Sequence, residues 1–308
     1  MDYIIFIISM AALIKGADLI IKESEKIALH FGISEFVIGA TLIAFGTSLP
    51  EMAASIAASL KDKSDLAVSN VIGSVALNIT LVLGVVFLLA KKIEPRRDIF
   101  KQDSPWGLFP IFTFLLMAYD GTISRGEGML FLALMAAYLL FLAQEPSIVA
   151  EEVDEELAKE PFNWPPTLGL LILGFVMVVY GADFAVSSAS NIARSLGVSE
   201  WVIGLFLVAF GTSLPELVVS VQAAIQKKAD MSIGNIIGSN VANFSMVLGS
   251  AALVNPLRVD LAANAFDILV ALVASVMLVF ITASRLYNRS AGIALLVILG
   301  VFVLGHTP

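Results

Sequence analysis

The sequence predicts an all-α integral membrane protein in which ten transmembrane helices form two inverted five-helix repeats. Three observations lead to this prediction: an apolar composition, about ten apolar stretches of membrane-spanning length, and an internal repeat with an offset of 165 residues. The 308 residues are 58% hydrophobic and only 14% charged, whereas about a quarter of the residues of a typical soluble domain are charged. The composition therefore indicates a chain surrounded largely by lipid.

The apolar stretches give the number of spans. A helix needs about 20 mostly apolar residues to cross the hydrocarbon core of a bilayer. Such stretches lie near residues 3–21, 36–60, 66–90, 105–119, 127–143, 166–190, 202–225, 232–254, 263–283 and 290–305. The first has no basic segment before it and no small-residue cleavage pattern after it, so we expect a retained span and not a signal peptide. Cysteine is absent from the sequence, which excludes disulfides, thiolate metal sites and thiol catalysis.

The internal repeat gives the arrangement of the spans. Residues 16–84 align without a gap with residues 181–249, and 32 of the 69 pairs are identical. We therefore expect a first five-helix repeat at 1–145, an acidic linker at 146–164 and a second repeat at 165–308. Because five is an odd number, the second repeat enters the membrane from the opposite side. Inverted repeats are typical of transporters, with the binding site near the membrane midplane.

The distribution of lysine and arginine predicts the orientation. Of 18 such residues, Lys15 lies within the first span, and five lie on one set of alternate loops (Lys61, Lys63, Arg125, Arg194 and Arg258). The remaining 12 lie on the other set. Because cytoplasmic loops carry the excess of positive charge, both termini are expected outside the cell and the acidic linker inside.

An octapeptide within the repeat carries the first candidate ligands. "AFGTSLPE" occupies residues 44–51 and again residues 209–216. The proline removes a backbone donor, so we expect carbonyl groups from Ala44 to Thr47 and from Ala209 to Thr212 to lose their helical partners. The same stretch adds hydroxyl and carboxylate oxygens from Thr47, Ser48 and Glu51 in the first copy and from Thr212, Ser213 and Glu216 in the second.

A second repeated segment supplies complementary side chains. "NVIGSVALN" at 70–78 matches "NIIGSNVAN" at 235–243. The four-residue spacing places Ser74 and Asn78, and likewise Ser239 and Asn243, on one face of a helix. Together with the octapeptides they offer hard oxygen ligands and a formal charge of about −2, which suits Ca²⁺, Na⁺ or Mg²⁺.

Structural explanations compete with this interpretation. Proline and small polar residues are common in membrane helices as kink and packing residues, and a buried glutamate can be a protonated acid. Two copies at equivalent positions favour an ion site, because intramembrane acids in facing repeats mark transport pathways. For Asp18 and Asp183, near helix ends, a solvated or packing role is the better prediction.

The motifs resemble a known superfamily. "GTSLPE" twice, followed by "IGSVALN" and "IGSNVAN", is similar to the two α-repeats of the cation/calcium antiporters, and most of all to prokaryotic sodium/calcium exchangers. The resemblance implies a calcium site built by Glu51, Glu216, Thr47 and Thr212. It also implies flanking sodium sites built by Ser48, Ser74, Ser213, Ser239 and the carbonyl groups of Ala44 and Ala209. In the family the helices that match residues 3–21 and 166–190 slide across the others to alternate access.

The function implied is secondary antiport of Na⁺ and Ca²⁺ across the cell membrane, by a chain that acts as a monomer, is no enzyme, needs no cofactor and binds no nucleic acid. Asn243 replaces the aspartate of some prokaryotic relatives, and Asn78 is neutral too, so we expect transport without K⁺. Ca²⁺/H⁺ antiport, with the two glutamates as proton carriers, is the alternative. An intramembrane hydrolase would need histidine ligands or a nucleophile beside the acids, which the motifs lack.

Overall fold

The computed structural model describes residues 1–89, 93, 95–144, 162–198, 203 and 211–306. These residues form helices joined by short turns, with one small β-ribbon. The helices are α1 (Asp2–Phe31), α2 (Glu35–Thr47), α3 (Leu49–Leu60), α4 (Ser64–Leu89), α5 (Ile99–Met117), α6 (Arg125–Ala143), α7 (Trp164–Ser195), α8 (Leu214–Ile225), α9 (Ala229–Val254), α10 (Ala265–Ala283) and α11 (Arg289–Gly305). The strands are β1 (Thr122–Ile123) and β2 (Leu257–Arg258).

The described helices confirm a multi-pass α-helical membrane protein. Six of them are long and apolar enough to cross a membrane (α1, α4, α6, α7, α9 and α10), and α2 with α3 makes a seventh if this pair, bent by 45°, is one span. Helix α11 has 17 residues and α8 has 12, while residues 204–210 before α8 lie outside the described part. The count of ten spans therefore stays a prediction. Most of the acidic linker, residues 145–161, also lies outside the described part.

Helices α1 and α7, which are equivalent in the two repeats, pack directly against each other. A Cβ atom on Gly16 would lie 2.8 Å from the carbonyl oxygen of Gly174, and one on Gly181 would lie 3.2 Å from that of Ser9. Because the earlier position in α1 meets the later position in α7, the two helices run antiparallel. Small residues allow this close approach, as is usual between membrane helices.

Helices α4 and α9, also equivalent in the repeats, lie at the centre of the molecule. In the most apolar 18-residue stretch of each helix, 83% of the residues are buried. The corresponding share is 33% for α1 and α7, whose outer faces carry exposed large apolar side chains. Both central helices contain a wide π-helical turn at the same place, Asn78–Leu83 in α4 and Asn243–Val247 in α9. Such turns shift the backbone register and are frequent at functional sites.

Polar contacts tie the two halves together at the ends of the helices. Strands β1 and β2 pair antiparallel, with Thr122 opposite Arg258. Near the other end of the molecule, the Arg97 guanidinium donates to Asp103 at 2.6 Å and 2.9 Å, and backbone N–H groups of Arg96 and Arg97 donate to Asp230. The turn before α5 is thereby attached to the start of α9.

Candidate functional site

The repeated octapeptide breaks the helix in the same way in both repeats. Ser48 has φ −87° and ψ 3°, and Ser213 has φ −87° and ψ 0°. A new helix begins at the next residue, with proline at its second position, where the missing N–H costs nothing. Glu51 and Glu216 therefore lie in the first turns of α3 and α8, where the helix dipole stabilises negative charge.

Within the expected stretch of carbonyl groups, the proline acts on that of Gly46 and not on that of Ala44. The carbonyl oxygen of Ala44 keeps its helical partner, the N–H of Ser48, at 3.0 Å, and it is also within 3.3 Å of the Thr47 hydroxyl. The N–H that Pro50 lacks would have bonded the carbonyl group four residues earlier, at Gly46. Ala44 therefore keeps its helical partner, whereas Gly46, inside the predicted stretch, is the position that the proline affects. Its equivalent, Ala209, lies outside the described residues.

The polar side chains of one octapeptide lie beside the glutamate of the other. The Ser48 hydroxyl donates to Oε1 of Glu216 at 3.4 Å. Thr47 also lies close to the Glu216 carboxylate, and Thr212 lies close to the carboxylate of Glu51. The two carboxylates are near enough to repel each other. The two octapeptides, which are 165 residues apart in sequence, therefore form one site.

The wide turns of the central helices complete the site. Helix α3, which carries Glu51, packs against the turn that begins at Asn243, and α8, which carries Glu216, packs against the turn that begins at Asn78. The structure thus brings the predicted segments together around one region. Among the predicted residues that it describes, Thr212 is half-buried and the rest are buried, namely Ala44, Thr47, Ser48, Glu51, Ser74, Asn78, Ser213, Glu216, Ser239 and Asn243.

Unpaired polar atoms are concentrated in this site. Within the described part of the chain, twelve buried side-chain atoms have no hydrogen-bond partner, and nine of these belong to predicted ligands. They are both carboxylate oxygens of Glu51, one of Glu216, the hydroxyls of Ser74, Ser213 and Ser239, the amide oxygen of Asn78 and both amide atoms of Asn243. The other three are on Glu23, Ser24 and Tyr138. Because unpaired buried polar groups are costly, such a concentration needs a physical explanation.

Two pairs of residues that support the site were not predicted from the sequence. The Asn70 amide donates to the Ser55 hydroxyl at 2.9 Å and to the backbone carbonyl of Glu51 at 3.2 Å. In the other repeat the Asn235 amide donates to the Ser220 hydroxyl at 2.9 Å. The two asparagines occupy equivalent positions of the repeat, and so do the two serines. Their identity between the repeats was the signal that the sequence offered. They hold the glutamate helices against α4 and α9.

Asp18 is bound to the far end of α8 and not to the carboxylate site. Its Oδ1 accepts hydrogen bonds from Gln222 at 2.6 Å and from Gln226 at 2.9 Å, six and ten residues beyond Glu216. Asp183, its repeat equivalent, is exposed. These positions agree with packing and solvated roles.

The chemistry of the site suits a hard cation. It offers two carboxylates, several hydroxyls and amide oxygens, all of them hard ligands. Calcium and sodium ions take oxygen ligands of these kinds, and two carboxylates balance one divalent ion. A cation also explains the unpaired oxygens, since it would supply the partners that the protein lacks.

Comparison with known proteins agrees with this chemistry. The family described as sodium/calcium exchanger protein matches residues 1–144 and 166–307. An uncharacterized membrane protein of Methanocaldococcus jannaschii is 37% identical over 94% of this chain and 93% of its own length, and the sodium/calcium exchanger MaX1 of Methanosarcina acetivorans is 32% identical over 96% and 95%. Among solved structures, the sodium-calcium exchanger NCX_Mj soaked with 10 mM Na⁺ and no Ca²⁺ superposes with a TM-score of 0.83, at 34% identity over 99% of both chains.

Proposed function

Because the chain belongs to the sodium/calcium exchanger family, we propose that it is a secondary antiporter that exchanges Na⁺ for Ca²⁺ across the membrane, without K⁺. The observation that carries this proposal is the set of unpaired buried oxygens around Glu51 and Glu216. An antiporter needs one site that accepts either ion in turn, and hard oxygen ligands accept both Na⁺ and Ca²⁺. The names of the exchangers similar to this chain support the choice of these two ions.

In this proposal the two glutamates bind calcium. Glu51 and Glu216 supply the negative charge, and Thr47 and Thr212 add oxygens beside them. The flanking sodium ligands are the hydroxyls of Ser48, Ser74, Ser213 and Ser239 with the carbonyl groups of Ala44 and Ala209. Three of these hydroxyls, on Ser74, Ser213 and Ser239, have no partner in the described part of the chain, which supports this role. The carbonyl oxygen of Ala44 accepts a helical hydrogen bond from Ser48 and lies 3.3 Å from the Thr47 hydroxyl, so a sodium ion bound there would take the place of the Thr47 contact.

Independence of K⁺ follows from the charge of the site. One Ca²⁺ matches two carboxylates, and Asn78 and Asn243 add no charge. An additional K⁺ would leave an unbalanced positive charge inside the membrane, where uncompensated charge is costly.

The packing of α1 and α7 supports alternating access. These two helices make their closest backbone contacts with each other, through Gly16, Gly174 and Gly181, and they cover the outside of the octapeptide helices. As a paired unit they can move along the rest of the protein and expose the site first to one face and then to the other. The complete architecture in this proposal is ten helices in two inverted repeats, with both termini outside the cell.

Ca²⁺/H⁺ antiport is the second candidate, because the same two carboxylates can carry protons. The experiment that separates the candidates is ⁴⁵Ca uptake into proteoliposomes loaded with Na⁺, with a proton ionophore present and the membrane potential clamped. We expect uptake when external Na⁺ is replaced by choline, with or without K⁺. Uptake that follows a pH gradient imposed without the ionophore and ignores Na⁺ would favour the proton antiporter, and a strict need for K⁺ would overturn the charge argument.

A further inference from the structure

Asn240 breaks the symmetry of the two repeats inside the site. The first repeat has Val75 at the equivalent position, although the residues on either side of the segment match between the copies ("IGSVALN" and "IGSNVAN"). Asn240 is 8% exposed and follows Ser239 on α9. A polar residue that replaces a buried apolar one needs a hydrogen-bond partner, because an unpaired buried amide is costly.

The partner of Asn240 is a predicted ligand of the other repeat. The amide nitrogen of Asn78 donates to Oδ1 of Asn240 at 3.1 Å, a contact between residues 162 positions apart in the sequence. Asn78 is 1% exposed, and its amide oxygen has no hydrogen-bond partner in the described part of the chain. The amide nitrogen is therefore held by Asn240, and the oxygen is the atom left to bind something else.

The equivalent asparagine of the second repeat is held differently. Both amide atoms of Asn243 lack partners within the described part of the chain. Val75, the residue equivalent to Asn240, has no side-chain acceptor to fix this amide. Within the described residues, the site thus contains one asparagine whose amide orientation is set by a hydrogen bond and one whose orientation no hydrogen bond sets.

Amide orientation decides whether an asparagine attracts or repels a cation. The oxygen of the amide is an acceptor that can bind a metal ion, whereas the NH₂ group carries two donors and no lone pair for a cation. Rotating the amide by half a turn exchanges these two atoms. An acceptor placed beside the NH₂ group therefore selects the orientation that binds cations.

We propose that Asn240 is a positioning residue that holds the Asn78 amide so that its oxygen serves the transported cation. The proposal rests on the antiport function proposed above. Asn240 itself does not bind the ion in this account: it acts only through Asn78. Because one hydrogen bond sets the orientation, its loss should weaken Ca²⁺ binding by roughly fivefold to tenfold.

The test is a double-mutant cycle read by ⁴⁵Ca equilibrium binding to the purified, detergent-solubilised protein. Asn240→Val, which copies the first repeat, should raise the Kd for Ca²⁺ by about fivefold to tenfold. In an Asn78→Ala background the same change should have less than about twofold effect, because the group that it positions is gone. Ser275→Ala is the matched control: its buried hydroxyl donates to the backbone carbonyl of Ala271 on α10, a helix that carries none of the predicted ligands, so we expect an unchanged Kd.

A conservative variant protects the test against misfolding of Asn240→Val. Asn240→Asp keeps an acceptor oxygen at the same place, so its Kd should equal or fall below that of the unmodified protein. A Kd raised more than about fivefold in Asn240→Asp, or an equal effect of Asn240→Val in both backgrounds, would overturn the proposal. Binding is measured without transport, so the two proposals can fail separately. If the double-mutant cycle gives the expected Kd values but Na⁺ does not drive ⁴⁵Ca uptake, the antiport function is rejected and the role of Asn240 is retained. A chain that binds no ⁴⁵Ca would reject both.

Discussion

Ser48 in the first repeat donates a hydrogen bond to Glu216 in the second, at 3.4 Å. Its repeat equivalent, Ser213, has an unpaired hydroxyl within the described part of the chain. Each octapeptide therefore provides the surroundings of the other's glutamate, and neither repeat holds a complete site alone. Duplication of one sequence unit thus explains why the same eight residues occur twice.

Glu51→Gln and Glu216→Gln should each abolish ⁴⁵Ca transport and leave a folded protein in the membrane. Each change keeps the shape of the side chain but removes half of the negative charge that opposes a divalent ion in a low-dielectric site. The measurement is ⁴⁵Ca uptake together with size-exclusion behaviour in detergent. Asp183→Asn, which alters an exposed acid on α7, is the control and should transport normally. Normal uptake by either glutamine variant would exclude these carboxylates as the calcium ligands.

Gly238→Ala should destabilise the protein by about 1–3 kcal/mol, because overpacking forces the backbone to shift. A Cβ atom at Gly238 would lie 2.3 Å from the carbonyl oxygen of Ala40, so α9 cannot stay as close to α2. The neighbouring Ser239 would move away from the glutamates, and Ca²⁺ affinity should fall as well. Thermal unfolding in detergent measures the first effect and ⁴⁵Ca binding the second.

The control for this substitution is Gly300→Ala on α11. Gly300 is exposed on the outer face of the molecule, and a Cβ atom added there would have no atom of the described residues within 4 Å. Alanine also favours a helix over glycine by about 1 kcal/mol, so the control should be neutral or slightly stabilising. Equal melting temperatures for the two variants would contradict the close approach of α2 and α9.

Asp18→Ala should lower stability by about 0.5–1.5 kcal/mol, because it removes the hydrogen bonds that join α1 to the end of α8. Gln222 and Gln226 both donate to this carboxylate and join α8 to α1. The equivalent variant Asp183→Ala removes an exposed side chain and should change stability by less than about 0.5 kcal/mol. Melting temperatures of the two variants in the same detergent provide the comparison. A larger loss of stability for Asp183→Ala than for Asp18→Ala would contradict the contact between Asp18 and α8.

Cysteines introduced at positions 2 and 155 should be labelled from opposite faces of the membrane. Five predicted spans separate these positions, and the native chain contains no cysteine to interfere. We expect Glu155→Cys to react from the cytoplasmic side and Asp2→Cys from outside. Position 155 belongs to the set of loops that carries 12 of the 18 Lys and Arg residues, and loops rich in positive charge face the cytoplasm. A membrane-impermeant maleimide applied to intact cells and to inverted vesicles makes the measurement. Labelling of both from one face would exclude an odd number of spans and with it the inverted repeat.

The sequence was most informative where the repeat constrains chemistry. Glu51 and Glu216 could be paired from the alignment alone, because equivalent positions of an inverted repeat face each other near the midplane. The same alignment pointed to Asn78 and Asn243, and the structure begins a wide helical turn at both.

The sequence was least informative where contacts depend on tertiary placement. The bond from Asn78 to Asn240 joins non-equivalent positions, so the repeat could not reveal it. The same holds for the contacts of Asp18 with α8. Within the stretch from Ala44 to Thr47, the sequence analysis did not single out the carbonyl group that the proline affects: the missing N–H of Pro50 acts four residues earlier, at Gly46.

Coupled counterflow of ²²Na and ⁴⁵Ca in one proteoliposome preparation tests the central claim most directly. Vesicles loaded with ²²Na are diluted into Na⁺-free medium with the pH gradient collapsed and the membrane potential clamped, and both isotopes are followed as external ⁴⁵Ca is added. We expect external Ca²⁺ to accelerate ²²Na efflux while ⁴⁵Ca enters, and both fluxes to vanish together in Glu51→Gln and Glu216→Gln. Entry of ⁴⁵Ca with no change in ²²Na efflux would contradict Na⁺/Ca²⁺ exchange.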